Sequence, residues 1–243
     1  MRIDGRRPDE LRPVKITPNI LKFAEGSVMI EVGNTQVLCA ATLDNHAAPH
    51  LVGTGRGWVT AEYDMLPRAG SQRKPRDRSK SGIPGRSAEI QRLIGRSLRV
   101  ATQIESLGER TFLLDCDVIQ ADGGTRTASV TGAFLALALA MKNMVDAGKL
   151  GHIFLKDYVA AVSVGIVEGR PVLDLSYLED SQAEVDMNVV MNGAGEIIEV
   201  QGTGESATFS RSRMNEMLDL AEKGIQNLIA IQKEILGIAS FGA

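Results

Sequence analysis

Apolar residues along this chain change their spacing several times, and each change predicts an element. Val28, Ile30 and Val32 alternate with Met29 and Glu31, Gly33-Asn34 interrupts them, and Gln36-Val37-Leu38-Cys39-Ala40-Ala41 resumes the run. A period of two around such a turn predicts a hairpin over residues 27–42. Residues 57–63 predict a further short strand. Residues 67–85 are rich in Gly, Pro, Ser and basic side chains, show no period, and predict a loop. Ile90, Leu93, Ile94, Ala101 and Ile104 then recur at helical spacing, with Ser87 as a suitable N-cap and Glu89 in the first turn. A strand over 111–120 and a long apolar helical run over 130–145 follow, separated by Gly123-Gly124.

Beyond Gly148 and Gly151, which bracket a boundary, the period returns to two. Residues 158–167 and 171–175 predict a hairpin around Glu168-Gly169-Arg170. Ala183, Val185, Met187, Val189 and Met191 share one face of a strand, and Gly193-Ala194-Gly195 turns it back into 196–202. Met214, Met217, Leu218, Ala221, Ile225 and Leu228 line one face of a final helix over 210–236. The class is α+β, with an N-terminal half (1–150) and a C-terminal half (151–243), each strands followed by helix. No residue-level repeat relates them.

At 243 residues the chain can bury a sizeable core. Hydrophobic residues make up 44% and charged residues 23%, an ordinary soluble composition. Aromatics are only 4%, so base stacking on aromatic platforms is excluded as a main binding mode. Cys39 and Cys116 sit singly in apolar runs and read as small core residues of a reducing compartment. The start of the chain lacks a signal-peptide pattern, and no uncharged apolar stretch approaches the ~20 residues of a membrane span, so the expected location is the cytoplasm. The net charge of −3 excludes a uniformly basic nucleic-acid binder.

Four features carry chemistry. Gly123-Gly124-Thr125-Arg126 lies between a strand and a helix, where close backbone approach and the helix N-terminus favour a phosphate. Thr125 adds a hydroxyl there and Arg126 a planar fork. Asp180 and Asp186 stand at an even offset, so an extended segment would show both on one face, where two carboxylates suit Mg²⁺. A polar strand face in water is the plainer alternative. Arg68, Arg73, Lys74, Arg76, Arg78 and Lys80 gather in the loop and suit a polyanion. Arg92, Arg96 and Arg99 share a helix face after it, suited to an anion or to acidic partners, with Arg86 at the mouth of that helix as a second arm of the phosphate clamp. Pro49 breaks any helix holding His46 and His50, so zinc is not expected, and Ser206 and Ser210 lack a His–Asp pair for acyl transfer.

These residues coincide with longer motifs. Arg2-Ile3-Asp4-Gly5-Arg6-Arg7-Pro8-Asp9-Glu10-Leu11-Arg12, Gly57-Trp58-Val59-Thr60-Ala61-Glu62-Tyr63, Arg86-Ser87-Ala88-Glu89-Ile90-Gln91-Arg92-Leu93-Ile94-Gly95-Arg96 and Asp115-Cys116-Asp117-Val118 occur in order. Gln120-Ala121-Asp122-Gly123-Gly124-Thr125-Arg126, Leu178-Glu179-Asp180, Asp186-Met187-Asn188 and Gln201-Gly202-Thr203-Gly204-Glu205 continue them. Across nearly its whole length the chain resembles the bacterial ribonuclease PH family. The resemblance implies a fold of two halves related to the ribosomal protein S5 domain 2-like fold. It implies a phosphorolytic 3′-5′ exoribonuclease that removes nucleotides following the CCA end of precursor tRNA, releases nucleoside diphosphates, runs in reverse, and extends to rRNA. It implies phosphate binding by Arg86, Gly124, Thr125 and Arg126, catalysis by Asp180, Asp186 and Arg126, and Mg²⁺ or Mn²⁺ on Asp180 and Asp186. It also implies tRNA contacts from Arg68, Arg73 and Arg76, and a homo-hexamer built as a trimer of dimers. Arg92 and Arg96 join the RNA-binding candidates. A catalytically silent ring subunit and a small-molecule kinase of related fold are the rival readings. RNA binding should weaken steeply with salt, a pocket-bound metabolite much less.

Overall fold

Helix α2 (Thr125–Asp146) is apolar on nearly every side, and both sheets of the molecule pack against it. The structure is a computed structural model that describes residues 2–75, 82 and 84–241. By length and hydropathy α2 could cross a membrane, but 83% of its apolar window is buried inside the protein, as befits a core helix. Counting only uncharged runs had hidden this length, because Arg126 and Lys142 interrupt the run near its two ends.

The first sheet holds β1 (Val14–Pro18), β2 (Gly26–Val32), β3 (Thr35–Asp44), β4 (Trp58–Met65) and β5 (Thr111–Gln120) in the order β1-β2-β3-β5-β4. Its pairs are antiparallel except β4 with β5, which run parallel and are joined through α1 (Gly85–Ala101). The second sheet is antiparallel throughout and orders β6 (Val159–Val167), β7 (Arg170–Leu173), β8 (Val185–Asn192) and β9 (Ile197–Gly204) as β7-β6-β8-β9. A one-turn helix α3 (Tyr177–Asp180) precedes β8, and α4 (Arg211–Leu236) packs on β6 and β7. One continuous hydrophobic cluster runs from Val28 of β2 through α2 to Ile225 of α4.

The predicted hairpins and the strand over 111–120 are present, and Ser210 caps α4 by accepting from the Arg213 amide. Four details differ. Helix α1 begins at Gly85 with Pro84 as its cap, so Ser87 is a buried residue of its first turn. Ile104 lies beyond its end. Strand β1 was not anticipated, because Val14-Lys15-Ile16 is too short between Pro13 and Pro18 to show a period. Residues 177–180 are helical, because Ser176 and Glu179 form a capping box that folds the chain into a turn. Asp180 therefore does not lie on an extended segment, and the even-offset argument for it fails. The predicted basic loop is irregular over 66–75; Arg76, Arg78 and Lys80 lie outside the described residues.

Cys39 and Cys116 are direct partners across β3 and β5, both free and buried. The neighbouring Cys39, then burial, pushes the Cys116 thiol well up, which leaves it protonated and unreactive. Strand β2 approaches α2 closely at Gly26, where a Cβ would stand 2.2 Å from the Ala136 carbonyl oxygen and 2.4 Å from the Ala140 amide nitrogen. Backbone cannot yield as a flexible side chain can. Gly26→Ala should therefore cost roughly 1–3 kcal/mol, a fall of about 5 °C in Tm; an unchanged melting curve would show that β2 slides freely on α2.

Candidate active site

The N-terminus of α2 opens between the two sheets. Gly124 is its N-cap in the left-handed region (φ 66°), and its carbonyl accepts the first helical bond, from Ala128. The amides ahead of Ala128 have no carbonyl within the helix and leave a positive end there. Gly123, at φ 79°, presses the turn onto the start of α3: a Cβ would lie 2.5 Å from the Leu175 carbonyl oxygen and 2.7 Å from the Tyr177 nitrogen. The glycine pair thus serves two ends, a left-handed turn and a contact with the other sheet's elements.

Thr125 is buried, and its hydroxyl lies 2.9 Å from the phenol of Tyr63 on β4. When Tyr63 is the donor, the Thr125 proton stays available to an anion. Burial pushes the Tyr63 phenol up, against the pull of its bond to Thr125 and of the Arg86 and Arg126 charges, so it remains a neutral donor. Arg126 gives one Nη to Glu89 of α1 (3.2 Å) and to Gln201 of β9 (3.0 Å). A guanidinium carries five N–H donors, so this tether orients the group and leaves donors for phosphate oxygens. Arg86 is exposed in the first turn of α1, and its charge acts on both Tyr63 and Asp180.

Asp180 ends α3 and Asp186 lies in β8 opposite Thr203. Burial pushes the Asp186 carboxyl up to about 6, with the Asp180 and Glu205 charges adding to it and Arg126 opposing. Asn188 donates to Asp186 Oδ2 at 3.4 Å. Asp180 opens to water on one side, yet desolvation still raises it, with Arg86 and Arg126 pulling back and Glu205 adding. The structure thus brings Arg86, Thr125, Arg126, Asp180 and Asp186 together. Among the described residues no three His, Cys, Asp or Glu side chains converge as a metal cage. The donor set fits a hard cation that takes one or two carboxylates and completes its shell with substrate oxygens, such as Mg²⁺. Burial first, and the neighbouring carboxylates second, disfavour the Asp186 charge, and such a cation would favour it.

Gln201 of β9 and three further site residues escaped the sequence reading. Tyr63, Glu89 and Glu205 lie within quoted motifs but carried no role, because only packing brings them to Thr125, Arg126 and the aspartates. The arginine stripe divides. Arg99 donates to the Val59 carbonyl (2.9 Å) and stacks on Trp58, Arg96 pairs with Glu199 (3.1 Å), and Arg92 is exposed. Arg68 and Arg73 are exposed. His46 pairs with Asp44, and His50 packs edge-on against Trp58. A cleft of about 470 Å³ lies over β3, β4 and β5, lined by Tyr63 together with Glu62, Asp64, Asp115 and Asp117. Carboxylates are the wrong sign for phosphate, so these lining residues do not suit an anion.

A helix N-terminus and two arginines facing paired carboxylates are an arrangement suited to phosphoryl transfer. The family model described as the 3′ exoribonuclease family matches in both its domains, over residues 10–142 and 157–224. The chain is 60% identical over 238 residues to a ribonuclease PH of Bacillus cereus, covering 98% of this chain and 97% of that one, and equally similar to a ribonuclease PH of Bacillus anthracis. Among solved structures it resembles rice (Oryza sativa) Rrp46, with a TM-score of 0.78 at 20% identity over 97% of this chain and all of that one. It likewise resembles a chain of the Archaeoglobus fulgidus exosome with RNA bound to the active site, with a TM-score of 0.81 at 23% identity over 95% and 92%. The chain belongs to the 3′ exoribonuclease family, in its ribonuclease PH branch. It is a phosphorolytic exoribonuclease acting in tRNA 3′ processing, and inorganic phosphate is a substrate.

The Asp186 carboxyl yields a test of this electrostatic picture. Its folded-state value of about 6 lies above the ordinary 3.8, so ionisation opposes folding. The penalty is absent below the ordinary value, grows as pH rises, and is complete above about 6. Without divalent cations, Asp186→Asn should raise Tm by roughly 2–4 °C at pH 7.5, and the gain should vanish toward pH 4. A gain that is independent of pH would show that the carboxylate is not penalised.

Proposed function

We propose that the chain trims the 3′ ends of precursor tRNAs in the cytoplasm, one nucleotide at a time to the CCA end, at the N-terminus of α2. The observation that carries this reading is the convergence of Arg86 and Arg126 on Asp180 and Asp186 beside Thr125. Hydrogen phosphate sits on the Gly124–Thr125 backbone and the Thr125 hydroxyl, clamped by Arg86 and Arg126. One of its oxygens attacks the last phosphodiester phosphorus as the bond from phosphorus to the 3′ oxygen breaks. The nucleoside diphosphate carries off both phosphates. The proton of the attacking hydrogen phosphate passes to the leaving 3′ oxygen, relayed by one carboxylate of the pair. Nucleophile and substrate are both anionic, so the arginines act on the charge of the transition state. Asp180 and Asp186 would hold Mg²⁺ or Mn²⁺, which would supply Lewis-acid stabilisation of the transition-state charge.

Arg68, Arg73 and Arg76, with Arg92 and the partly paired Arg96, hold the phosphate backbone of the acceptor stem. A homo-hexamer, a trimer of dimers, repeats this basic surface and offsets the net charge of −3. A docked stem leaves a fixed length of single strand to reach Asp180 and Asp186, which sets where trimming stops.

A tRNA carrying a short 3′ extension, incubated with Mg²⁺ with and without inorganic phosphate, tests the chemistry. Shortening should require phosphate and release nucleoside diphosphates; monophosphates without phosphate would mean hydrolysis. Arg126→Ala should lower turnover by ~10²-fold or more, and an unchanged rate removes it from the mechanism. Arg68→Ala with Arg73→Ala should weaken tRNA binding and reduce the slope of log affinity against log salt by about 1–2. An unaltered slope would place the tRNA elsewhere.

A further inference from the structure

The phosphate turn belongs to the first sheet's chain segment and the aspartates to the second's, so something must hold one against the other. The N-terminal segment supplies that link. Arg12 is 5% exposed and lies in bidentate contact with Asp174, itself 6% exposed: Nη2 to Oδ1 at 2.6 Å and Nε to Oδ2 at 2.9 Å. The Arg12 backbone N–H also donates to Oδ2 at 2.7 Å, and Arg6 adds a fourth donor at 3.2 Å. The same guanidinium reaches the other way, to the Asp122 carbonyl and, at 3.4 Å, to that of Gly123. Thr35 closes the turn from the β3 side, accepting from the Asp122 amide (2.9 Å) and donating to the Gly123 carbonyl (2.7 Å).

Asp174 is held in a backbone conformation that costs energy. It is not glycine, yet its φ is 55°. Its carbonyl accepts from Arg2 (2.9 Å) and Arg6 (3.0 Å), and Arg2 continues in a fork to Glu179, one residue before Asp180. A Cβ on Gly124 would come within 3.1 Å of Arg12 Nη2 and 3.9 Å of Asp174 Oδ1. The pair thus borders the space that a side chain on the residue capping α2 would fill. It ties both turn carbonyls and, through Arg2, the segment leading to Asp180 into one network.

We propose that Arg12 and Asp174 are positioning residues of the phosphate site, setting the Gly124–Arg126 turn at its working distance from Asp180 and Asp186. Neither touches the reacting atoms. The inference rests on the phosphate-site reading above and adds residues to it. Loss of the pair lets the turn shift relative to the aspartates, and small displacements of a positioned reactant are costly in rate.

The test uses the full-length enzyme with Asp174→Asn and Arg12→Lys, each read as KM for inorganic phosphate, KM for a short RNA, turnover and Tm. Asp174→Asn should raise the phosphate KM by about 10-fold or more while the RNA KM moves by less than about 2-fold. Arg12→Lys keeps the charge opposite Asp174 but loses the fork to the two carbonyls, and should show the same selectivity with a smaller shift. It decides the matter alone if Asp174→Asn does not fold. Met217→Ala, in buried α4, serves as a control of matched Tm loss and should leave the phosphate KM in place. A normal phosphate KM in both pair variants overturns the proposal, as does an equal rise in Met217→Ala. Arg126→Ala run alongside separates the two failures. If it is impaired while the pair variants are normal, only the positioning role falls. If it too is normal, the phosphate site itself was misplaced and the inference falls with it.

Discussion

Burial of α2 constrains everything else in the molecule. A helix with alanine, leucine and methionine on all sides, from Ala133 through Met141, has no face to offer water. Its surface is satisfied only when both sheets pack on it, with Gly26 lacking a side chain so that β2 can approach the Ala136 and Ala140 backbone. Once the helix is enclosed, its N-terminus must emerge at the line where the two sheets meet. The unpaired amides of that terminus need an anion, and the seam is where β8 and α3 bring carboxylates and β4 brings Tyr63. The site's location follows from the packing of the core.

The electrostatics of the seam are balanced by opposition. Asp186 is raised by burial and by Asp180, while Arg126 pulls it back. Arg126 in turn is steadied by Glu89 and Gln201, which spend one of its nitrogens and fix the direction of the others. Such a site carries charges of both signs, arginines on one side and aspartates on the other. The cleft over β3, β4 and β5 is lined, among the described residues, by Glu62, Asp64, Asp115 and Asp117.

Glu179 shows how stability and site geometry share residues. Burial alone would raise its carboxyl, but bonds from Arg2 and the Ser176 amide, and the charge of Arg6, hold it below its ordinary value. The same carboxylate completes the capping box of α3 and thereby sets where Asp180 points. Residues far apart in the chain, near 2, 12, 123 and 179, meet within one network of buried charges.

Local spacing was enough to reveal the hairpins, the strand over 111–120, the glycine turn and the amphipathic α4, because period and turn chemistry are properties of a few adjacent residues. The motif residues of the site were legible for the same reason, each being a run of neighbours. The partners were not. Tyr63 on Thr125, Glu89 and Gln201 on Arg126, and Arg12 on Asp174 join positions separated by 37 to 162 residues, and no period reports such a meeting. Asp180 and Asp186 do come together, but through a capped turn and a strand rather than along one extended face. Sequence determined which side chains and which local shapes were available. Only the enclosure of α2 by two sheets decided which of them would face one another, because that depends on how distant apolar surfaces pack rather than on what each residue's neighbours are.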